Sequence, residues 1–240
     1  MQPDLLLVFF TIFLCGIIQS LLGIGLLIFG TPTLLLLGYD YVYVLSIILP
    51  CSILISFLQI FKKKDFVFGK KYLYFYTIPT LSIGVFLIID NKLDINVIKY
   101  IGAILFCIGV IRVNKKLNLF FKKLVTKFTV PYCLFIGLIH GLFNMSGAFL
   151  TVFMSSVNDS AEKIRVSIAY WYLVFAIIQI FILFITSALI YSKMTLVFLV
   201  ISLISYVLVF FTLSKMVNLE IYQRIVTIVI FLYSLSCFVL

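Results

Sequence analysis

The chain is short of charge. Only 11% of its 240 residues are charged, against about a quarter in soluble globular proteins. No polar stretch is long enough to form a separate soluble domain. Carboxylates are scarcer still. The eight are Asp4, Asp40, Asp65, Asp90, Asp94, Asp159, Glu162 and Glu220, and all fall in expected loops or at span ends. Proton- and sodium-coupled carriers keep ionisable groups inside the membrane, and no such carboxylate is visible here. Histidine and tryptophan occur once each, as His140 and Trp171. The five cysteines (Cys15, Cys51, Cys107, Cys133, Cys237) are odd in number and scattered. They give neither a disulfide framework nor a metal spacing and read as small apolar fillers. No metal and no cofactor is expected.

What is present is apolar sequence in long runs, at 5–37, 41–61, 72–89, 96–111, 128–157, 166–190, 194–213 and 221–239. About 20 apolar residues cross ~30 Å of hydrocarbon, so the chain reads as an all-α integral membrane protein, a single transmembrane domain over 1–240. The net charge of +10 does not suggest nucleic acid. Most basic residues lie in two loops, "KKKDFVFGKK" (62–71) and "RVNKKLNLFFKKLVTK" (112–127), as cytoplasmic loops do. Trp171, early in a span, reads as an interface anchor, and the 26 phenylalanines as mostly lipid-facing bulk.

Two runs are too long for one span. A straight helix over 5–37 would measure about 50 Å. Both carry breakers in mid-run: Gly23, Gly25, Gly30 and Pro32 in the first, Asn144, Ser146 and Gly147 in the second. Glycine weakens a helix and proline removes one of its hydrogen bonds. Each long run is therefore expected to be two half-helices joined by a break.

The two broken segments match. "GIIQSLLGIGLLIFGTP" starts at Gly16 and "GLIHGLFNMSGAFLTVF" at Gly137. The following spans share "LQIF" (58–61) and "IQIF" (178–181), and each half closes with a short polar loop and a last span. This order predicts two repeats of four helical elements, 1–118 and 126–240, the first element of each broken or re-entrant, with 112–127 as a basic cytoplasmic connector. If each broken segment enters and leaves on one side, each half crosses three times and the repeats are inverted. Fifteen of the 18 basic residues then lie inside, and Lys92, Lys99 and Lys193 outside. If the broken segments cross fully, the division is 12 against 6. The charge rule favours the hairpins, and eight plain spans remain the alternative.

Irregular backbone inside a membrane is tolerated where it is buried or lines a cavity. The second half of a broken helix opens with amide N–H groups, which hold anions without a basic side chain. Inverted repeats bring such breaks together near the midplane, where transporters of this kind bind substrate. The stretches "GIGLLIFGTPTLLLLGYD" (23–40), "GLIHGLFNMSGAFLTVFMSS" (137–156) and "EKIRVSIAYWYLVF" (162–175) carry a further signal. Through them, and through its two-repeat layout, nearly the whole chain resembles the TauE/SafE sulfite exporter family of membrane permeases. The resemblance implies export of sulfite, sulfonates or related small organic anions, and it suggests a homodimer. Asn144 and Ser146 stand where the family often has glycine, and Phe153 aligns with Pro32 where a proline is usual.

The candidate substrate-binding residues are Gln19, Gly23, Gly25, Gln59, His140, Asn144, Ser146, Gly147 and Gln179, with Arg165 on the substrate path. His140 can donate to an oxyanion or attract it when protonated; the bland reading is a packing histidine. Gln19 is its counterpart in the first repeat. Asn144 and Ser146 offer donors or cap the second half-helix. Gly23, Gly25 and Gly147 expose backbone or serve as packing notches. Gln59 and Gln179 are matched buried amides, each in need of a partner. Arg165 matches an arginine common after the family's second break and is expected near the cytoplasmic rim; an ordinary positive-inside arginine is the alternative.

Rival classes are weak. "NMSG" (144–147) resembles a rhomboid-type serine motif, yet no histidine follows His140. "HGLFN" (140–144) resembles one motif of membrane CAAX-type proteases, yet the glutamate pair is missing. An intramembrane protease is not expected, and the protein reads as no enzyme. An importer of thiosulfate or another sulfur compound is the main alternative. Uptake of an anion runs against an inside-negative potential, whereas export gains about 2.3 kcal/mol per charge for each ~100 mV. The expected setting is a bacterial or archaeal plasma membrane, with the lipid bilayer and a small anion as partners.

Overall fold

The computed structural model describes residues 5–61, 69–89, 97–158, 160–190, 192–212 and 219–239. The carboxylates Asp4, Asp65, Asp90, Asp94 and Asp159, Lys92, Lys215 and most of the basic loop at 62–71 lie outside these residues. Every regular element among the described residues is helical. In chain order they are α1 (Leu5–Leu22), a π-helical turn (Leu26–Gly30) leading into α2 (Thr31–Leu36), α3 (Tyr41–Ile60), and α4 (Lys70–Tyr72), which runs through a second π turn (Leu73–Thr77) into α5 (Ile78–Ile89). Then follow α6 (Val97–Val113), α7 (Lys115–Lys127), α8 (Thr129–Phe143), α9 (Gly147–Val157), α10 (Ala161–Ile185), α11 (Met194–Thr212) and α12 (Leu219–Val239).

Local chemistry sets the boundaries. Asp40 caps α3, accepting from the N–H groups of Val42 (2.9 Å) and Tyr43 (3.2 Å). Asn114 caps α7 in the same way, through Lys116 and Leu117. Ser160 accepts from Lys163 N–H at the start of α10, where Glu162 in the first turn complements the helix dipole.

Among the described residues, five helices are long and apolar enough to cross a bilayer: α1, α3, the run Lys70–Ile89, α10 and α11. Bulky apolar side chains cover their outer faces, among them Leu6, Phe75, Leu196 and Phe211 at 71–78% exposure. Apolar surface on this scale needs hydrocarbon around it, and the protein is a multi-pass membrane protein.

Both long runs are broken, and both turn back. After α1 the chain reverses at residues 23–25, and Gly25 lies against Cys15 and Gln19 of α1. Leu26 N–H donates to Gln19 Oε1 (3.1 Å). After α8 it reverses at residues 144–146. Tyr132 of α8 donates its hydroxyl to the Phe149 carbonyl of α9 (2.9 Å), and the Phe135 and Phe149 rings lie 5.0 Å apart. A straight continuation would separate Tyr132 from Phe149 by about 25 Å. These are hairpins, as the charge distribution favours.

The helices pair in a repeating way. α1 packs on α11 and α8 on α5, while α3 meets α10 and α6 meets α12. Exchanging the α1, α3, α5, α6 series for α8, α10, α11, α12 leaves these pairings unchanged. The α5–α8 contact is close enough that Gly84 and Gly141 touch, with space for no side chain between them.

Two expectations are corrected. The connector at 112–127 is no loop: residues 115–127 form α7, bent 104° from α8. Trp171 is no interface anchor but is fully buried, edge-on to Phe153 and Phe175. Of the phenylalanines, Phe29, Phe153, Phe175 and Phe198 are buried to 2% exposure or less and belong to the core.

Candidate functional site

The two breaks share one backbone device. Gly23 (φ 79°) and Asn144 (φ 59°) both adopt the left-handed conformation that ends a helix. Each closes its helix through one hydrogen bond of 2.7 Å, Gly23 N–H to the Gln19 carbonyl and Asn144 N–H to the His140 carbonyl. Asparagine reaches this region more easily than other side-chain residues, which is why it serves where the first copy has glycine.

Gln19 and His140, one turn earlier, fasten the returning limbs. Gln19 Oε1 takes Leu26 N–H, while its amide NH₂ reaches Ser52 Oγ (3.0 Å), Ser56 Oγ (3.2 Å) and the Ser52 carbonyl (3.3 Å). Every polar atom of Gln19 is thus engaged within the protein. His140 Nδ1 lies 2.9 Å from Ser146 Oγ, so Ser146 spans the break and makes no side-chain cap for α9. The His140 ring packs against Phe175 (4.5 Å) and Tyr172 (5.7 Å) of α10.

The hairpins meet at these breaks. Asn144 Nδ2 donates to Thr31 Oγ1 of the first hairpin (2.9 Å), and both residues are fully buried. Gly147 packs against the Tyr172 hydroxyl, and a Cβ there would lie 3.4 Å from Ile24, in the first break. On the other side of the first break, Gln59 Nε2 donates to the Gln19 (2.9 Å) and Ser20 (3.0 Å) carbonyls. Arg165 Nη1 reaches the Leu21 carbonyl (3.5 Å), and the Arg165 backbone and Cγ stand 3.0–3.3 Å from where a Gly23 Cβ would sit. A cation at the C-terminal end of α1 suits the helix dipole. Arg165 therefore belongs to the first break itself, within α10, rather than to a loop before it.

The remaining polar atoms divide unevenly. His140 Nε2, Asn144 Oδ1, both amide atoms of Gln179 and Gln59 Oε1 are buried without a hydrogen-bond partner. Gln179 lies beside the imidazole but outside good hydrogen-bond geometry. Leaving such a group unmade costs about 1–3 kcal/mol, and native proteins keep few of them. Three of these four residues belong to α8, the second break and α10. By helix geometry, the opening N–H groups of the return limbs, at Leu27, Ile28, Ala148 and Phe149, lack partners within their own turn.

Of the sequence candidates, the structure brings Gln19, Gly23, Gly25, Gln59 and Arg165 together at the first break. His140, Asn144, Ser146, Gly147 and Gln179 cluster at the second. Thr31 and Tyr172 were missed. Thr31 directly precedes Pro32 within the first broken segment, a position that could have flagged it; Tyr172 carries no such signal. Among the described residues no group of His, Cys, Asp and Glu has the spacing for a metal ion.

No curated protein and no solved structure matches the chain. The family model "Sulfite exporter TauE/SafE" matches residues 8–237, nearly all of it. That span includes both hairpins and all four helix pairings, and a membrane transporter for sulfite or related sulfur compounds is what the family implies. The chain belongs to the TauE/SafE sulfite exporter family.

Proposed function

We propose that the protein exports sulfite, a sulfonate or a related small organic anion, held where the two hairpins meet, between repeats of inverted orientation. The Asn144–Thr31 bond carries this reading, because it joins the second break to the return limb of the first hairpin at a fully buried point. Around it stand donors suited to an oxyanion. Where Ser146 donates to His140 Nδ1, the Nε2 atom carries the proton and is a donor. Gln179 adds an amide NH₂. Turning the Asn144 amide over keeps the link, with Thr31 as donor, and frees the Asn144 NH₂. Main-chain N–H groups of the return limbs complete the set.

The site is shut: Gln19, His140, Asn144, Ser146 and Gln179 all have no exposure. Transport on this reading requires the hairpins to part on one side and then the other, with the helices around them as the frame. The described carboxylates Asp40, Glu162 and Glu220 stand at a cap or in a first turn. Export down the membrane potential needs no coupling ion, and the reading is a uniport-like or weakly coupled exporter in a plasma membrane.

Efflux of sulfite from proteoliposomes at fixed pH, with the potential varied, tests this. The expected rate rises as the side holding the anion becomes more negative. Indifference to voltage combined with strict dependence on a proton gradient would refute it, and import driven by such a gradient would favour the thiosulfate alternative.

A further inference from the structure

α7 has no role in the substrate site, and its chemistry is distinct. Its 13 residues include Lys115, Lys116, Lys122, Lys123 and Lys127 and no carboxylate. On a helical wheel the lysines share one arc with Thr126, interrupted only by Leu119. The opposite side carries Phe121, Leu124 and Val125; Val125 is fully buried, and the helix packs on α9 and the end of α6. The bend of 104° from α8 sends α7 across the bundle rather than along it.

Its outer face joins charge to apolar bulk. Lys115, Lys116, Lys123 and Lys127 are exposed, and so are Leu119 and Phe120, at 57–62%. A soluble surface has no use for that combination, whereas a helix lying in a bilayer interface does. Lys122 is half-buried beside Arg112, whose Nε donates to Thr227 Oγ1 of α12 (3.1 Å). Burial first, and then the Arg112 charge, push the Lys122 ammonium below its ordinary range, as two crowded cations should.

We propose that α7 lies flat at the membrane surface and binds the phosphate groups of anionic phospholipid heads, which steadies the second hairpin through α9. Basic residues at a membrane surface each attract anionic lipid, and several act together. The charge pattern selects the headgroup; Leu119 and Phe120 supply the apolar insertion that a free phosphate could not use.

The test uses the whole protein in neutral detergent. Tm is followed while short-chain phosphatidylglycerol, short-chain phosphatidylcholine or inorganic phosphate is added. The expected result is a Tm rise with phosphatidylglycerol that high salt reduces, and little change with the other two. A variant with Lys115, Lys116, Lys123 and Lys127 all changed to Gln should keep the lipid-free Tm, since these side chains are exposed, and lose the rise. An equal rise with phosphatidylcholine or with phosphate, or a rise that survives in the variant, would overturn the proposal.

Discussion

Asn144 and Thr31, 113 residues apart in sequence, share a buried hydrogen bond of 2.9 Å. Asn144 stands in the second break, and Thr31 opens α2 on the return limb of the first hairpin. The bond therefore ties the second break to the return limb of the first hairpin, deep inside the protein.

Thr31→Val removes the hydroxyl and keeps the shape. It should lower stability by about 0.5–2 kcal/mol, the range for buried polar links between membrane helices. Asn144→Gly keeps the left-handed turn but loses the same bond, and the double variant should cost no more than either alone by more than a few tenths of a kcal/mol. Thermal unfolding in detergent reads all three. Fully additive losses would show that the two side chains act independently.

Gly147→Ala puts a methyl group against the Tyr172 hydroxyl. Overpacking of this kind costs about 1–3 kcal/mol. Adding Tyr172→Phe removes the nearer atom and should restore part of the loss. Tm values for the single and double variants check it, and no recovery would mean that the helix start itself, not this contact, excludes alanine.

Gln19 and Gln179 give opposite expectations from the same chemistry. All polar atoms of Gln19 are engaged, so Gln19→Leu should destabilise strongly, by about 2 kcal/mol or more, leaving Ser52, Ser56 and Leu26 N–H unpaired. Both amide atoms of Gln179 lack partners, so Gln179→Leu should leave Tm unchanged or raised while weakening anion transport. A large fall in Tm for Gln179→Leu would place that residue in the packing and outside the site.

The spans and the two breaks were legible because they rest on local chemistry. Run length sets a span, and Gly23, Gly25 and Asn144 cannot sit quietly inside a helix. The pairing of Gln19 with His140 followed from the repeat. What each partner touches was not legible, because it depends on residues distant in sequence: Ser52 and Ser56 satisfy Gln19, and nothing comparable satisfies Gln179. Burial of Trp171 was hidden for the same reason. α7 was legible and was missed. Paired lysines at 115–116 and 122–123, with apolar residues between and Asn114 ahead, are a capped amphipathic helix, but the density of charge suggested a loop.

The account stands on an anion resting between the two breaks, and a binding screen tests that most directly. Purified protein is heated with a panel of sulfite, sulfonates and small carboxylates, for wild type, Gln179→Leu and Asn144→Gly. At about a hundred times Kd a bound anion adds ~2.7 kcal/mol of stability. The account predicts a clear Tm rise with at least one sulfur oxyanion in the wild type and its loss or sharp reduction in both folded variants. An undiminished rise in both variants would put the anion elsewhere and contradict it.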